Sequence, residues 1–189
     1  MSLLIIDNYD SFTFNLVQCV EEAGVKDYLI VKNDCLSALP SSRFDRVLIS
    51  PGPGIASESG QLLNFIQEHH QQKSFLGICL GFEALLEFFG ARLSLLPVPM
   101  HGIQNEGIIL HNDCLFKNLP KNILIGHYHS WFVREEDFPQ ETEILMKDSS
   151  GLIMAFRHKK YPLRALQFHP ESYMTPFGSK IIANWLTMK

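Results

Sequence analysis

The sequence predicts an α/β fold: an open, mostly parallel central sheet with helices on both faces, and additional antiparallel strands in the second half. Three observations carry this. Short apolar runs alternate with amphipathic helical stretches through the first half, the pattern of a parallel sheet covered on both sides. In the second half the apolar runs are short and separated by turn signals, which suits antiparallel strands. The segments richest in chemistry each follow an apolar run, and open parallel sheets place their chemistry outside the carboxyl ends of the strands.

In chain order, Leu3 to Ile6 is a first buried strand, stopped by the turn and capping residues of Asp7-Asn8-Tyr9-Asp10-Ser11. A helix should follow with Phe12, Leu16, Cys19, Val20 and Ala23 on one face and Gly24 as its C-cap. Tyr28 to Val31 and Arg46 to Ser50 read as strands, the second halted by Pro51-Gly52-Pro53-Gly54. Gly60 to His69 reads as a helix, with His69-His70 as its solvated end, and Phe75 to Ile78 as the fourth strand. An amphipathic helix with Leu80, Ala84, Leu85, Phe88 and Phe89 comes next. Beyond it, Ile108 to Leu110, Ile123 to Ile125, Ile144 to Met146, Leu152 to Phe156 and Arg164 to Phe168 are strand candidates, and Ser179 to Leu186 closes as a helix.

A chain of 189 residues fits one domain, 1–189, with no repeat or linker. The net charge of −4 gives no basic footprint, so no nucleic-acid partner is expected. No apolar stretch approaches the roughly 18 residues of a membrane span, and Met1 to Ile6 has no basic flank like that of a secretory leader. Cys19, Cys35, Cys79 and Cys114 are scattered, favouring neither a zinc site nor a disulfide framework. A cytoplasmic enzyme without a metal or other cofactor is the economical expectation.

The central motif is Gly77-Ile78-Cys79-Leu80-Gly81, a thiol version of the nucleophile elbow between strand and helix. Glycine on both sides lets the two elements approach closely, and the helix dipole would favour thiolate. The same spacing suits a buried structural cysteine, so the motif alone does not decide. His169-Pro170-Glu171 follows another apolar run; in an extended segment His169 and Glu171 would face one side, the carboxylate orienting the imidazole. The glycine-rich loop at Gly52 could bring a backbone N–H to a developing oxyanion, together with the N–H after Cys79. His127 and His129 share one side of a candidate strand, but no further ligand sits at metal-site spacing.

Taken together, these segments resemble the triad-type (class I) glutamine amidotransferases over nearly the whole chain. The likeness is strongest to the small glutamine-hydrolysing subunits of anthranilate synthase and para-aminobenzoate (aminodeoxychorismate) synthase. It is carried by Asp7-Asn8-Tyr9-Asp10-Ser11-Phe12-Thr13, Ser50-Pro51-Gly52-Pro53-Gly54, Gly77-Ile78-Cys79-Leu80-Gly81 and Met100-His101-Gly102. It continues through Tyr128-His129-Ser130, Ile153-Met154-Ala155 and Gln167-Phe168-His169-Pro170-Glu171-Ser172. The resemblance implies a flavodoxin-like fold and a Cys79-His169-Glu171 triad that hydrolyses L-glutamine. It further implies oxyanion binding around Gly52 and Leu80, and glutamine binding by Gly52, Pro53, Gly54 and the backbone of Ser130 and Trp131. Ammonia would pass to a chorismate-binding large subunit (component I), which holds the magnesium site. This chain departs from the family at Phe82-Glu83, where His-Gln is usual, at Ile103 for Lys, at His127 for Arg and at Trp131 for Leu. Glu83 falls at the family's substrate-contacting glutamine, and a carboxylate there lacks the amide's NH₂ donor and would raise the Cys79 pKa. The alternative is therefore a partner-binding or regulatory subunit with weakened glutaminase.

Overall fold

The computed structural model describes residues 2–188; Met1, which opens the amino-terminal run, and Lys189 lie outside the described residues. The strands are β1 Leu3–Asp7, β2 Tyr28–Lys32, β3 Arg46–Ile49, β4 Ser74–Ile78, β5 Leu93–Ile109, β6 Asn122–Val133, β7 Thr142–Asp148, β8 Ile153–His158 and β9 Leu163–Leu166. The helices are α1 Thr13–Glu22, α2 Leu62–His69, α3 Leu80–Phe88 and α4 Gly178–Leu186. One sheet runs in the order β2-β1-β3-β4-β9-β8-β7-β5-β6. From β2 to β9 neighbouring strands are parallel, and from β9 to β6 they are antiparallel. The mixed architecture expected from the sequence is therefore the one observed.

Alternation along the parallel strands builds two cores. Leu3, Ile5, Leu48, Leu76 and Ile78 point to one face, where Leu16 and Val20 of α1 and Ile181, Ile182 and Trp185 of α4 cover them. Leu4, Ile6, Val47, Ile49 and Phe75 point to the other, beneath Leu62, Phe65 and Ile66 of α2 and Ala84, Leu85 and Leu86 of α3. Each such large side chain, fully buried, contributes roughly 1.5–3 kcal/mol. Among the described residues no helix is long and apolar enough to cross a membrane.

Several expectations are corrected. β5 runs over 93–109, not merely 108–110, because most of its side chains face solvent and its prolines and glycines mask a strand pattern. β9 stops at Leu166, so Gln167 and Phe168 belong to the turn after it. α1 has Phe12 at its N-cap; Asp10 Oδ1 accepts from the Phe12 N–H at 2.7 Å, and Gly24 stands one residue past the Ala23 cap with φ 86°. α3 is buried nearly all round through Leu86, while Phe88 and Phe89 are only half-buried. Besides the sheet, α2 and the segment Ala56–Glu58 pack against it, which an amphipathic reading does not foresee. His69 and His70 are not a solvated end: the His69 ring packs on Phe65 at 4.5 Å, and that of His70 on Phe88 at 4.9 Å and Tyr161 at 5.0 Å.

Candidate active site

Strand register brings the predicted residues together. β4 lies between β3 and β9, with Gly77 opposite Ile49 on one side and Ala165 on the other. Ser50-Pro51-Gly52, Cys79 and the segment after Leu166 must therefore emerge side by side. The Cys79 N–H donates to Leu166 O at 2.8 Å, the Ser50 N–H to Ile6 O at 3.0 Å, and the Gln167 N–H to Met154 O at 2.9 Å. Asn8 then ties β1 to β3, its Nδ2 donating to Ser50 O at 2.8 Å and its backbone N–H to Ser50 Oγ at 2.9 Å.

Cys79 sits at the turn with φ 52° and ψ −101°, a conformation a side chain adopts only where its surroundings enforce it. The enforcement is tight packing. A Cβ on Gly77 would stand 2.4 Å from Gly81 O, one on Gly81 2.9 Å from Ile49 Cβ, and one on Gly52 2.6 Å from Leu80 Cδ2. The Gly52 backbone therefore packs against the side chain of Leu80, the residue that follows the thiol. Pro53 and Gly54 are exposed, with Gly54 at φ 79°.

His169 and Glu171 meet, with Nδ1 and Oε1 2.6 Å apart and both side chains buried. They do so across a turn, in which the Ser172 N–H donates to His169 O at 3.3 Å, rather than along an extended segment. Facing a carboxylate, a neutral His169 ring carries its proton on Nδ1, and the buried Nε2, which has no partner among the described residues, is then an acceptor. Phe12 at 5.5 Å and Tyr128 at 5.0 Å pack edge-on against the imidazole and fix its plane. No hydrogen bond joins Nε2 to Cys79 Sγ, a looseness common before substrate binds.

The thiolate expectation is corrected. Burial pushes the Cys79 thiol well above its ordinary pKa; Glu83, Glu171 and Asp10 push it the same way, against a smaller opposing pull from the Leu80 backbone. A helix N-terminus does not outweigh desolvation plus three carboxylates. Glu83 is 2% exposed, and its own pKa is pushed up to about 7 by that burial. Gln167, absent from the predicted site, donates from Nε2 to Glu83 Oε1 at 3.0 Å and reaches Cys79 Sγ at 4.0 Å. Its position directly after a buried strand and two residues before His169 was the available signal. Phe82 points away into the core, where its ring meets Phe156 at 5.2 Å.

Ser130 is half-buried, with Oγ 3.3 Å from His101 Nε2, and Trp131 lies next along β6. His127 and His129 do share one side, but they bond to each other at 3.1 Å. No group of three or more metal-ligating side chains among the described residues could hold an ion.

A thiol on a strained strand-to-helix turn, with a carboxylate-oriented imidazole on the adjacent strand end, defines a class of thiol-dependent acyl-transfer enzymes. The profile of the class-I glutamine amidotransferase family matches residues 4–188, and the chain belongs to that family. It is 44% identical over its full length to a Haemophilus influenzae protein provisionally named anthranilate synthase component II, covering 97% of that protein. It is 39% identical to the anthranilate synthase component 2 of Porphyra purpurea, with 97% of this chain and 98% of that one aligned. Among solved structures, a Thermoplasma acidophilum protein provisionally named as a GMP synthase subunit superposes with a TM-score of 0.85 at 26% identity, over 98% of this chain and 92% of that one.

Proposed function

We propose that residues 1–189 act as one glutamine amidotransferase domain that hydrolyses L-glutamine through Cys79, His169 and Glu171 and passes ammonia to a chorismate-binding large subunit. The observation that supports this reading is the β4–β9 register, with Ile78 opposite Leu166, so that Cys79 leaves the sheet at the strand end from which the chain runs on to the His169–Glu171 pair. The relatives' names favour the anthranilate branch over the para-aminobenzoate branch.

In the proposed reaction His169 Nε2 takes the Cys79 thiol proton as sulfur attacks the side-chain amide carbon of glutamine. Abstraction by an adjacent base is needed because burial holds the free thiol protonated. Backbone N–H groups at Gly52 and Leu80 receive the oxyanion. His169 returns the proton to the leaving nitrogen, releasing ammonia and a γ-glutamyl thioester. Water, deprotonated by His169, then attacks the thioester; the sulfur leaves, recovers a proton and frees glutamate. Glu171 stabilises the imidazolium formed in each half. The substrate is held by Gly52, Pro53, Gly54, Glu83 and the backbone of Ser130 and Trp131.

The test is glutamate release from glutamine by the chain with its own large subunit, for wild type and Cys79→Ala. Activity that vanishes in Cys79→Ala supports the proposal, and equal activity in both overturns it. A second reading, a partner-binding subunit with weakened glutaminase, draws on the Glu83 carboxylate that raises the thiol pKa. Glutamine turnover appearing only in Glu83→Gln would favour it.

A further inference from the structure

The ladder between β5 and β6 breaks beside the site. Leu95 pairs with Trp131 and Met100 with His129, so the chain from 95 to 100 faces only 129–131. Pro97 and Pro99 lie in the excess and have no N–H to offer. β6 is also the last strand of the sheet. The backbone at Ser130 therefore has no strand partner in register, and something else must hold it.

A buried chain of side-chain hydrogen bonds takes that place. His129 Nδ1 lies 2.7 Å from Trp131 O, and a carbonyl only accepts, so Nδ1 carries the proton. Burial lowers the His129 pKa to about 4, leaving the ring neutral and Nε2 an acceptor. His127 Nδ1, 3.1 Å away, must then be the donor to it. Proton placement is thus fixed in one direction: His127 Nδ1–H to His129 Nε2, and His129 Nδ1–H to Trp131 O. His127 is fully buried, and burial lowers its pKa against the pull of Asp148. Its bare Nε2 stands 3.9 Å from Asp148 Oδ2, and neither atom has a hydrogen-bond partner among the described residues. Asp148 is held from the other side, with Oδ1 accepting from the Ser150 N–H and Oγ–H and the Leu152 N–H. The titratable groups acting on His127 are Asp148, His129 and His169.

We infer that His129, oriented by His127, is a positioning residue that fixes the Ser130–Trp131 backbone, where strand pairing is interrupted at Ser130, in the geometry that receives glutamine. This rests on the proposed reading that this backbone binds the substrate. On the opposite side of the strand Tyr128 packs against His169, so one short segment serves substrate and base together. The relay sets where glutamine sits and leaves the thiol chemistry to the triad.

Two near-isosteric substitutions test it. Asn at 129 keeps an N–H donor where His129 Nδ1 stands, and Leu keeps the bulk without the donor. With the large subunit present, His129→Leu should raise KM for glutamine about tenfold with kcat little changed, and His129→Asn should stay near wild type. Alkylation of Cys79 by iodoacetamide, which needs no glutamine recognition, should match wild type in both. Equal KM values for the Asn and Leu variants overturn the inference. Nitrogen-15 NMR of the imidazoles gives an independent reading: both His127 and His129 should be Nδ1–H tautomers, and an Nε2–H tautomer at His129 overturns the relay. Wild type that hydrolyses no glutamine would overturn the positioning role along with the proposed function, while the tautomers would still decide whether the relay exists.

Discussion

Gln167 Nε2 donates to the Glu83 carboxylate at 3.0 Å, and the same nitrogen lies 4.0 Å from Cys79 Sγ. One amide therefore couples the Glu83 carboxylate to the nucleophile. Gln167 Oε1 is buried and unpartnered among the described residues, so it is an open acceptor within the site. An unpaired buried acceptor is unfavourable by about 1–3 kcal/mol, and a substrate N–H could relieve it.

Glu83 is ionised before the thiol titrates, since its pKa is about 7 and that of Cys79 lies well above 9. Glu83→Gln removes the charge and should let the thiol ionise at lower pH. The rate of iodoacetamide labelling of the Cys79 peptide, followed by mass spectrometry, should shift down by roughly one pH unit. An unmoved profile would mean that the carboxylate does not reach the thiol.

The same substitution should change stability with a defined sign. The folded pKa of Glu83 is raised above its ordinary 4.5, so the fold favours the protonated acid. That contribution is fully present below about pH 4.5 and is lost as pH rises through about 7. Wild type should lose on the order of 3 kcal/mol across this window, and Glu83→Gln should not. Urea unfolding of both proteins at pH 5 and pH 8 measures the gap, which should widen with pH.

Glu171→Gln replaces the acceptor 2.6 Å from His169 Nδ1 with a group that can also donate. The preferred tautomer and the stabilisation of imidazolium are both lost. Turnover with the large subunit should fall at least about hundredfold, with KM for glutamine little changed. A KM effect alone would place Glu171 in substrate binding instead.

Gly178 opens α4 away from the thiol, yet a Cβ there would stand 1.6 Å from Pro170 O, between His169 and Glu171. The backbone of that turn has to move to admit any side chain. Gly178→Ala should therefore lower kcat about hundredfold, through a displacement of the order of an ångström at His169. It should also destabilise the fold by about 1–3 kcal/mol in urea unfolding. Full activity in a stable Gly178→Ala protein would show that the turn is not set by this contact.

The sequence carried the parallel half of the fold because β1, β3 and β4 are buried on both faces and α1 and α2 on one, leaving distinct apolar periods. It lost most of β5 because an exposed strand broken by proline has no such period. It missed Gln167 for a different reason: its position after a strand and before His169 marks it as near the site, but only the Glu83 and Cys79 contacts give it a role. His127 and His129 were visible as neighbours on one side of a strand, but their mutual bond and the Asp148 behind them depend on pairing with β5 and β7.

By itself, then, the sequence determined the α/β class, the cysteine at a glycine-flanked turn and the His169–Glu171 pair, because each depends on neighbours within a few residues. The tertiary structure alone decided the state of the site. Whether Cys79 rests as thiol, whether Glu83 holds its proton and which nitrogen of His129 donates all follow from burial and from charges brought in by distant strands. Desolvation and Coulomb forces act through space, and no local pattern in the chain records them.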